Sequence, residues 1–249
     1  MQIIYEALLL FGVGILAGFI NVMAGGGSTI TLPILIFLGL DASVANGTNR
    51  VNLLSQNISA MLSFKKENVS QIKLSLKLAL LTLPGAIIGS FFATKISNAL
   101  FEKILGIVMI GIVITMLIPN SKDFVKEKIT KKLPWLIYPA MILLGFYGGF
   151  IQVGIGFLIM LTLHNILKMK LIYVNMHKVF IVMVYTIPAL IIFIISGNVN
   201  WLWGICLAAG SWIGAWWSAK VSVRKGDKIV KVVLIIAIVI MSLKLLGSF

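Results

Sequence analysis

The sequence predicts an all-α polytopic membrane protein of about eight to ten transmembrane or half-membrane helices, in two inverted-topology repeats. Three observations support this. Of the 249 residues, 60% are hydrophobic and 11% are charged, whereas soluble domains have about 45–50% and about 25%. The apolar residues form long runs, and the two halves of the chain share a motif. No room is left for a separate soluble domain.

Apolar runs define the predicted helices in order. They occupy residues 3–23, 29–40, 51–64, 74–93, 104–119, 134–150, 155–167, 171–196, 199–217 and 229–248. The runs at 29–40 and 155–167 are too short to cross a hydrocarbon core of about 30 Å. We interpret them as half-helices or re-entrant segments, and leave open whether 3–40 and 134–167 span the membrane fully.

Basic residues show which loops face the cytoplasm. The chain has 21 Lys and Arg against 7 Asp and Glu, and the basic residues lie in short breaks between apolar runs. This placement fits cytoplasmic loops and argues against a nucleic-acid partner. We therefore predict a multi-pass protein of the inner (cytoplasmic) membrane, embedded in the lipid bilayer, with both termini outside. The segments predicted inside are 65–73, 120–133, 168–178 and 219–231, and those predicted outside are 41–50, 94–103 and 197–200.

Two copies of one pattern divide the chain. The segment from Gly85 to Ser97 matches the segment from Gly210 to Ser222 in two glycines, an aromatic pair, a lysine and a serine. The loop before the first segment is basic and the loop before the second is uncharged, so the copies face opposite ways. Membrane packing of small residues is the alternative explanation. The predicted domains are a first repeat at 1–119, a basic cytoplasmic linker at 120–133 and a second repeat at 134–249.

A glycine cluster suggests an anion site in the first copy. Gly25, Gly26 and Gly27 precede Ser28 and Thr29, either of which we expect to be the N-cap of a short helix. No lysine follows, so the cluster is not a phosphate-binding P-loop. The free N–H groups at such a helix start favour an anion. The alternative is that the glycines only allow close helix packing. In the second copy the matching candidates are Gln152, Gly154 and Gly156.

A polar stretch follows in a segment that should be apolar. Thr48, Asn52, Ser55 and Ser59 form one stripe at helical spacing, which we expect to face the bundle interior or a watered cavity. Arg50 is the strongest candidate for an anion contact because its guanidinium matches oxyanions, although an interfacial arginine is the alternative. The candidate binding residues in this stretch and its counterpart are Thr48, Asn49, Arg50, Asn52, Asn175, His177 and Lys178, with His177 replacing Arg50.

Acidic residues lie in loops or near the first terminus, and none lies in the middle of a span. Cation transporters and proton relays normally keep a carboxylate there, so both lose support. We find no constellation of acid, base or nucleophile, and therefore expect no enzyme. Neither histidine has a partner at metal-ligand spacing, so we expect no metal and no cofactor. The expected partner is a small anionic substrate, and a homodimer is left open.

The pattern of Gly25-Gly26-Gly27, Pro33, Ala45 and Thr48, with a second degenerate copy, resembles the TauE/SafE sulfite exporter family over essentially the whole chain. The second half lacks the matching proline. The resemblance implies a secondary transporter that exports small sulfur-containing anions such as sulfite or sulfonates, with the glycine cluster as its functional motif. We expect alternating access, with uniport sufficient. An anion channel, or an importer of another small anion or sulfur compound, remains the alternative.

Overall fold

The computed structural model describes residues 1–117 and 133–245, and these form helices without any strand. The all-α prediction is confirmed for this part of the chain. The helices are α1 (Gln2–Ala24), α2 (Ser28–Phe37), α3 (Ala42–Lys66), α4 (Ile72–Ala93), α5 (Asn98–Leu117), α6 (Ile137–Phe150), α7 (Ile155–Leu167), α8 (Leu171–Ile195) and α9 (Trp201–Leu245).

Helix lengths divide into spanning and half-spanning classes. Among the described residues, α1, α4 and α8 are long and apolar enough to cross a membrane, whereas α2, α6 and α7 are shorter apolar helices. At 1.5 Å per residue, α2 rises about 15 Å, which is half of a hydrocarbon core of about 30 Å. Helices α2 and α7 thus have the half-span length that the sequence predicts.

The distribution of side chains is the reverse of that in a soluble protein. Large apolar side chains such as Phe37 and Ile195, 85% and 80% exposed, lie on the outer surface. Polar and charged side chains lie inside: Asn49, Arg50 and His177 are fully buried. An apolar exterior, with polar and charged groups buried among apolar core residues, fits a helical membrane protein, because lipid solvates apolar side chains and polar groups must find partners within the bundle.

Glycines bring helices of the two halves into direct backbone contact. Helix α1 packs along α9, and α4 packs along α6. A Cβ atom on Gly210 of α9 would lie 2.0 Å from the carbonyl oxygen of Phe11, and one on Gly85 of α4 would lie 2.1 Å from that of Ile142. The glycines of the two matched segments therefore have the same role, which is close packing of two helix backbones, since only a residue without Cβ allows such an approach.

The predicted polar stripe of α3 faces α9. Ser55, Ser59 and Ser63 donate from their Oγ atoms to the carbonyl oxygens of Ala208, Trp212 and Trp216 at 3.0, 2.6 and 3.0 Å. At the start of the same helix, Thr48 Oγ1 accepts from the backbone N–H of Asn200 at 2.9 Å. These residues thus join two helices. Asn52, which was predicted in the same stripe, instead donates from Nδ2 to Asn49 Oδ1.

The loops meet at two ends of the bundle as the charge count predicts. At one end, Asn98 donates to Asp41 at 3.3 Å, and Asn200 contacts Thr48 as above, which joins the three segments predicted outside. At the other end, Arg224 of α9 pairs with Glu67 at 3.1 Å, and His177 near the start of α8 contacts Gln71. Segments from three of the four basic loops therefore share one end.

Two predicted loops are helical. Residues 42–50 of the predicted loop at 41–50 form the first turns of α3. Residues 219–231 continue α9 without interruption, where we expected a loop between two separate spans. The segment has no proline and a single glycine, so nothing in it stops a helix once the preceding turns have formed. The predicted linker at 120–133 lies outside the described residues, except for its last position.

Candidate functional site

The break between α1 and α2 is built by the glycine cluster. Gly25 ends α1 in the left-handed region at φ 79°, which favours glycine, and Gly27 is the N-cap of α2. The prediction of Ser28 or Thr29 as N-cap is therefore wrong by one or two residues. Ser28 instead accepts from Asn49 Nδ2 at 3.1 Å, and Thr29 Oγ1 donates back to Gly26 O at 2.6 Å. The carbonyl oxygen of Gly27 accepts from the backbone N–H groups of Ile30 and Thr31, and its own N–H donates to Asn21 Oδ1.

The break between α6 and α7 lies against the first one. Gln152 and Gly154 both have left-handed φ angles, 61° and 65°. A Cβ atom on Gly25 would lie 2.2 Å from the backbone nitrogen of Phe157, and one on Gly156 would lie 2.6 Å from the Cα atom of Gly25. The two breaks thus meet backbone to backbone. Gly25 and Gly156 are required for this packing whatever else they do.

Asn49 organises the polar network beside α2. Its Oδ1 accepts from Thr31 Oγ1 at 2.8 Å and from Asn52 Nδ2 at 2.9 Å, and its amide donates to Ser28. Asn46, one turn earlier on α3, donates to Phe150 O and accepts from Gln152 Nε2, each at about 2.9 Å. Helix α3 therefore holds both breaks through asparagine side chains.

Arg50 binds the end of α6. Its Nη1 donates to Gly148 O at 3.3 Å and its Nη2 donates to Gly149 O. The guanidinium carbon lies 4.4 Å from the centre of the Phe193 ring of α8, within cation–π range. Arg50 is fully buried, and no carboxylate of the described chain pairs with it. It is not the interfacial, solvent-reaching arginine of the alternative interpretation.

Lys178 binds the end of α1 in the same manner. Its Nζ donates to the carbonyl oxygens of Asn21 at 2.9 Å and Val22 at 2.6 Å, and the side chain is 1% exposed. Lys178 is therefore the residue of the second half whose contacts correspond to those of Arg50 in the first half. His177, which the sequence alignment of the halves placed opposite Arg50, points elsewhere: its ring bonds Ser75 and Gln71 of the first half.

The structure brings together some of the predicted residues and separates others. Ser28, Asn49 and Asn52 form one network, and Gln152 bonds Asn46, one turn earlier on α3, in a second one. Arg50 and Lys178 each hold one break. Three others lie at separate helix contacts: Thr48 and His177 as above, and Asn175, which donates to Ser222 Oγ at 3.4 Å.

Several buried polar atoms of the described chain have no hydrogen-bond partner. Buried polar groups are almost always paired, so each unpaired one is a candidate for contact with a ligand. They are Arg50 Nε, Asn52 Oδ1, Gln56 Oε1, Gln152 Oε1, Asn175 Oδ1, Tyr185 Oη and Thr186 Oγ1.

Sequence reasoning missed some of these residues. Gln56 falls in the polar stretch of α3 that was recognised, but Tyr185 and Thr186 sit in the apolar run of α8. An adjacent tyrosine and threonine in the middle of a long apolar run was the available signal, because polar groups at membrane depth normally face a bundle interior. Asn21 and Asn46 were missed as well, and both bind a break.

These features define a class: a helical membrane protein with two broken helices that meet inside the bundle and cations buried beside them. Residues 10–245 match the family described as sulfite exporter TauE/SafE. Since the match covers most of the chain, the protein belongs to the TauE/SafE family of membrane transporters.

Relatives have similar lengths. A Sinorhizobium protein named probable membrane transporter protein ORF9 is 29% identical over 96% of this chain and 92% of its own. The Haemophilus influenzae probable membrane transporter protein is 28% identical over 95% and 93%. Escherichia coli YfcA, also named a probable membrane transporter protein, is 28% identical over 96% and 88%. No solved structure matches the chain.

Proposed function

We propose that the protein is a secondary transporter that exports small sulfur-containing anions, of the sulfite or sulfonate type, across the cytoplasmic membrane. The observation that carries this proposal is the pair of buried cations, Arg50 and Lys178, each beside a helix break and each without a carboxylate partner in the described chain. An isolated buried charge is expensive, and an anion brought between the two halves reduces that cost.

The sign of the charge supports an anion over a cation. The acidic side chains at positions 6, 41, 67 and 102 lie in loops or helix ends, so the described interior has buried cations and neutral polar groups but no buried carboxylate. A cation would meet repulsion from Arg50 and Lys178 and would find no carboxylate ligand. The choice of a sulfur oxyanion rests on the family description.

Alternating access of two inverted repeats is the mechanism that we propose. In the pairing of helices, the first helix of each half packs on a helix of the other half, α1 on α9 and α6 on α4. Arg50 and Lys178 likewise reach across to the first helix of the other half. Two breaks in contact near the middle of the bundle then supply a site that either side can reach when one group of helices rocks against the other.

Export is the direction that we propose because the membrane potential drives anions out of the cell, and we propose that the basic end lies in the cytoplasm. A membrane potential of about 100 mV, negative inside, favours the exit of each negative charge by about 2.3 kcal/mol, or about 4.6 kcal/mol for a dianion. Uniport therefore suffices and no coupling ion is required. In this arrangement both termini lie outside.

Liposome transport tests the proposal. The purified protein is reconstituted and the flux of sulfite and of methanesulfonate is measured, with Arg50→Ala and Gly26→Leu as the site variants. We expect saturable flux in the wild type and a loss of at least tenfold in both variants. Lys77→Ala, an exposed lysine of α4, is the matched control and should transport normally.

Two results would contradict the proposal. If the wild type moves neither anion, the proposed substrate class is wrong. If it moves sulfite and both site variants do so at the wild-type rate, the protein is a transporter but the site lies elsewhere. Flux that rises linearly with concentration, without saturation, would replace the carrier by a channel.

A further inference from the structure

Arg50 and Tyr185 both keep an unused hydrogen-bonding group at full burial. The two Nη atoms of Arg50 bond the carbonyls of α6, but its Nε has no partner. The hydroxyl of Tyr185 on α8 has no partner either, and both side chains are 0% exposed. A buried group of this kind costs free energy unless a ligand or a water completes it.

The two unused groups are neighbours. A Cβ atom on Gly148 would lie 2.8 Å from Tyr185 Oη, and the carbonyl oxygen of the same glycine accepts from Arg50 Nη1 at 3.3 Å. The phenol and the guanidinium therefore contact one residue of α6 from α8 and α3. The absence of a side chain at position 148 is what leaves room for the tyrosine.

The geometry of the guanidinium determines which ligand fits. Arginine has five N–H donors in a planar fork, and the two carbonyls use one from each Nη. The Nε–H and the second N–H of one Nη remain on a common edge, which matches two oxygens of one anion. The Phe193 ring centre lies 4.4 Å from the guanidinium carbon and covers one face, so an anion would have to approach along this edge.

We infer that Arg50 and Tyr185 together form an oxyanion subsite, in which the guanidinium edge takes two oxygens and the Tyr185 hydroxyl donates to an oxygen of the same anion. This inference rests on the proposed function and deepens it, because it assigns Tyr185 as a residue that selects the substrate. A monatomic anion such as chloride is a single acceptor atom and cannot place separate oxygens at the guanidinium edge and at the Tyr185 hydroxyl, so the subsite favours oxyanions.

Tyr185→Phe tests the assignment. It removes only the unpaired hydroxyl and keeps the ring, so the ligand-free protein should melt at the same or a higher temperature than the wild type. Sulfite binding to the purified protein in detergent, followed by the shift of the melting curve with concentration, should weaken by about tenfold or more. Chloride binding should change little. Tyr138→Phe, on α6 with a 39% exposed side chain, is the control and should bind sulfite normally.

The possible results distinguish the role of Tyr185, the selection of oxyanions and the proposed function. Weaker sulfite binding in Tyr185→Phe alone, with an unchanged melting temperature, supports the subsite. Wild-type sulfite affinity in that variant overturns the role of Tyr185 and leaves the proposed transporter intact. An equal loss for sulfite and chloride overturns the oxyanion selection. If the wild type neither binds nor transports sulfite, the proposed function fails first and the subsite with it.

Discussion

Arg50 on α3 and Lys178 on α8 make the same contact in opposite halves of the protein. Each donates to two consecutive carbonyl oxygens at the end of the first helix of the other half, Gly148 and Gly149 for Arg50, and Asn21 and Val22 for Lys178. A helix C-terminus carries partial negative charge and unpaired carbonyls, so a buried cation is stabilised there. Each half thus anchors the broken helix of its counterpart.

Lys178→Met should destabilise the protein. The change keeps most of the volume but leaves the buried Val22 carbonyl of α1 without its donor, at a cost of about 1–3 kcal/mol for an unsatisfied group. The Asn21 carbonyl keeps the backbone N–H of Gly25 at 2.8 Å. Thermal melting of the detergent-solubilised protein measures the effect. Lys77→Met on the exposed face of α4 is the matched control, and an equal, small shift in both variants would show that the carbonyl contact contributes nothing.

Gly25→Ala should prevent close packing of the two breaks. The new methyl group would lie 2.2 Å from the Phe157 nitrogen, at a residue with φ 79°, so both overlap and backbone strain oppose it. We expect a loss of about 1–3 kcal/mol in stability or a reduced yield of folded protein. Gly12→Ala, on the same helix with nothing within 4 Å, should be neutral or stabilising, and similar melting of the two variants would contradict the packing.

The three serines of α3 that bond α9, which we call the serine ladder, should contribute to stability without affecting anion binding. Replacing Ser55, Ser59 and Ser63 together by alanine removes three hydrogen bonds from α3 to α9, each worth about 0.6 kcal/mol in a membrane protein. We expect a total loss of about 2 kcal/mol, measured by unfolding in mild detergent, with the affinity for sulfite unchanged. A large change in the affinity for sulfite would show that these serines belong to the binding site.

Cysteine labelling should distinguish the two ends of the bundle. With Cys206 replaced by alanine, Ser97→Cys and Ser70→Cys place single thiols at exposed positions in segments predicted outside and inside. A membrane-impermeant maleimide should label Ser97→Cys in intact cells and Ser70→Cys only after lysis. The reverse pattern would invert the proposed orientation of the protein.

Part of the site could be predicted from residue types and spacing. Arg50, Asn49 and Gln152 were selected because polar groups inside apolar runs must face a protein interior, and all three are buried in polar contacts. The N-cap of α2 and the residue of the second half that corresponds to Arg50 could not be predicted this way. Gly27 is the N-cap because its carbonyl oxygen accepts the first bonds of α2, from the N–H groups of Ile30 and Thr31. Lys178 takes the role expected of His177 because of the direction in which each side chain leaves α8.

The sequence by itself determined that the chain is a helical membrane protein with broken helices and a basic end, because hydrophobicity, glycine placement and lysine count are local properties. The contact that each polar group makes is known only from the tertiary structure. Ser59 and Thr48 bind α9, Arg50 binds α6, and Tyr185 is left without a partner. These assignments depend on which helices meet, and residues far apart in the chain come together only when the bundle packs.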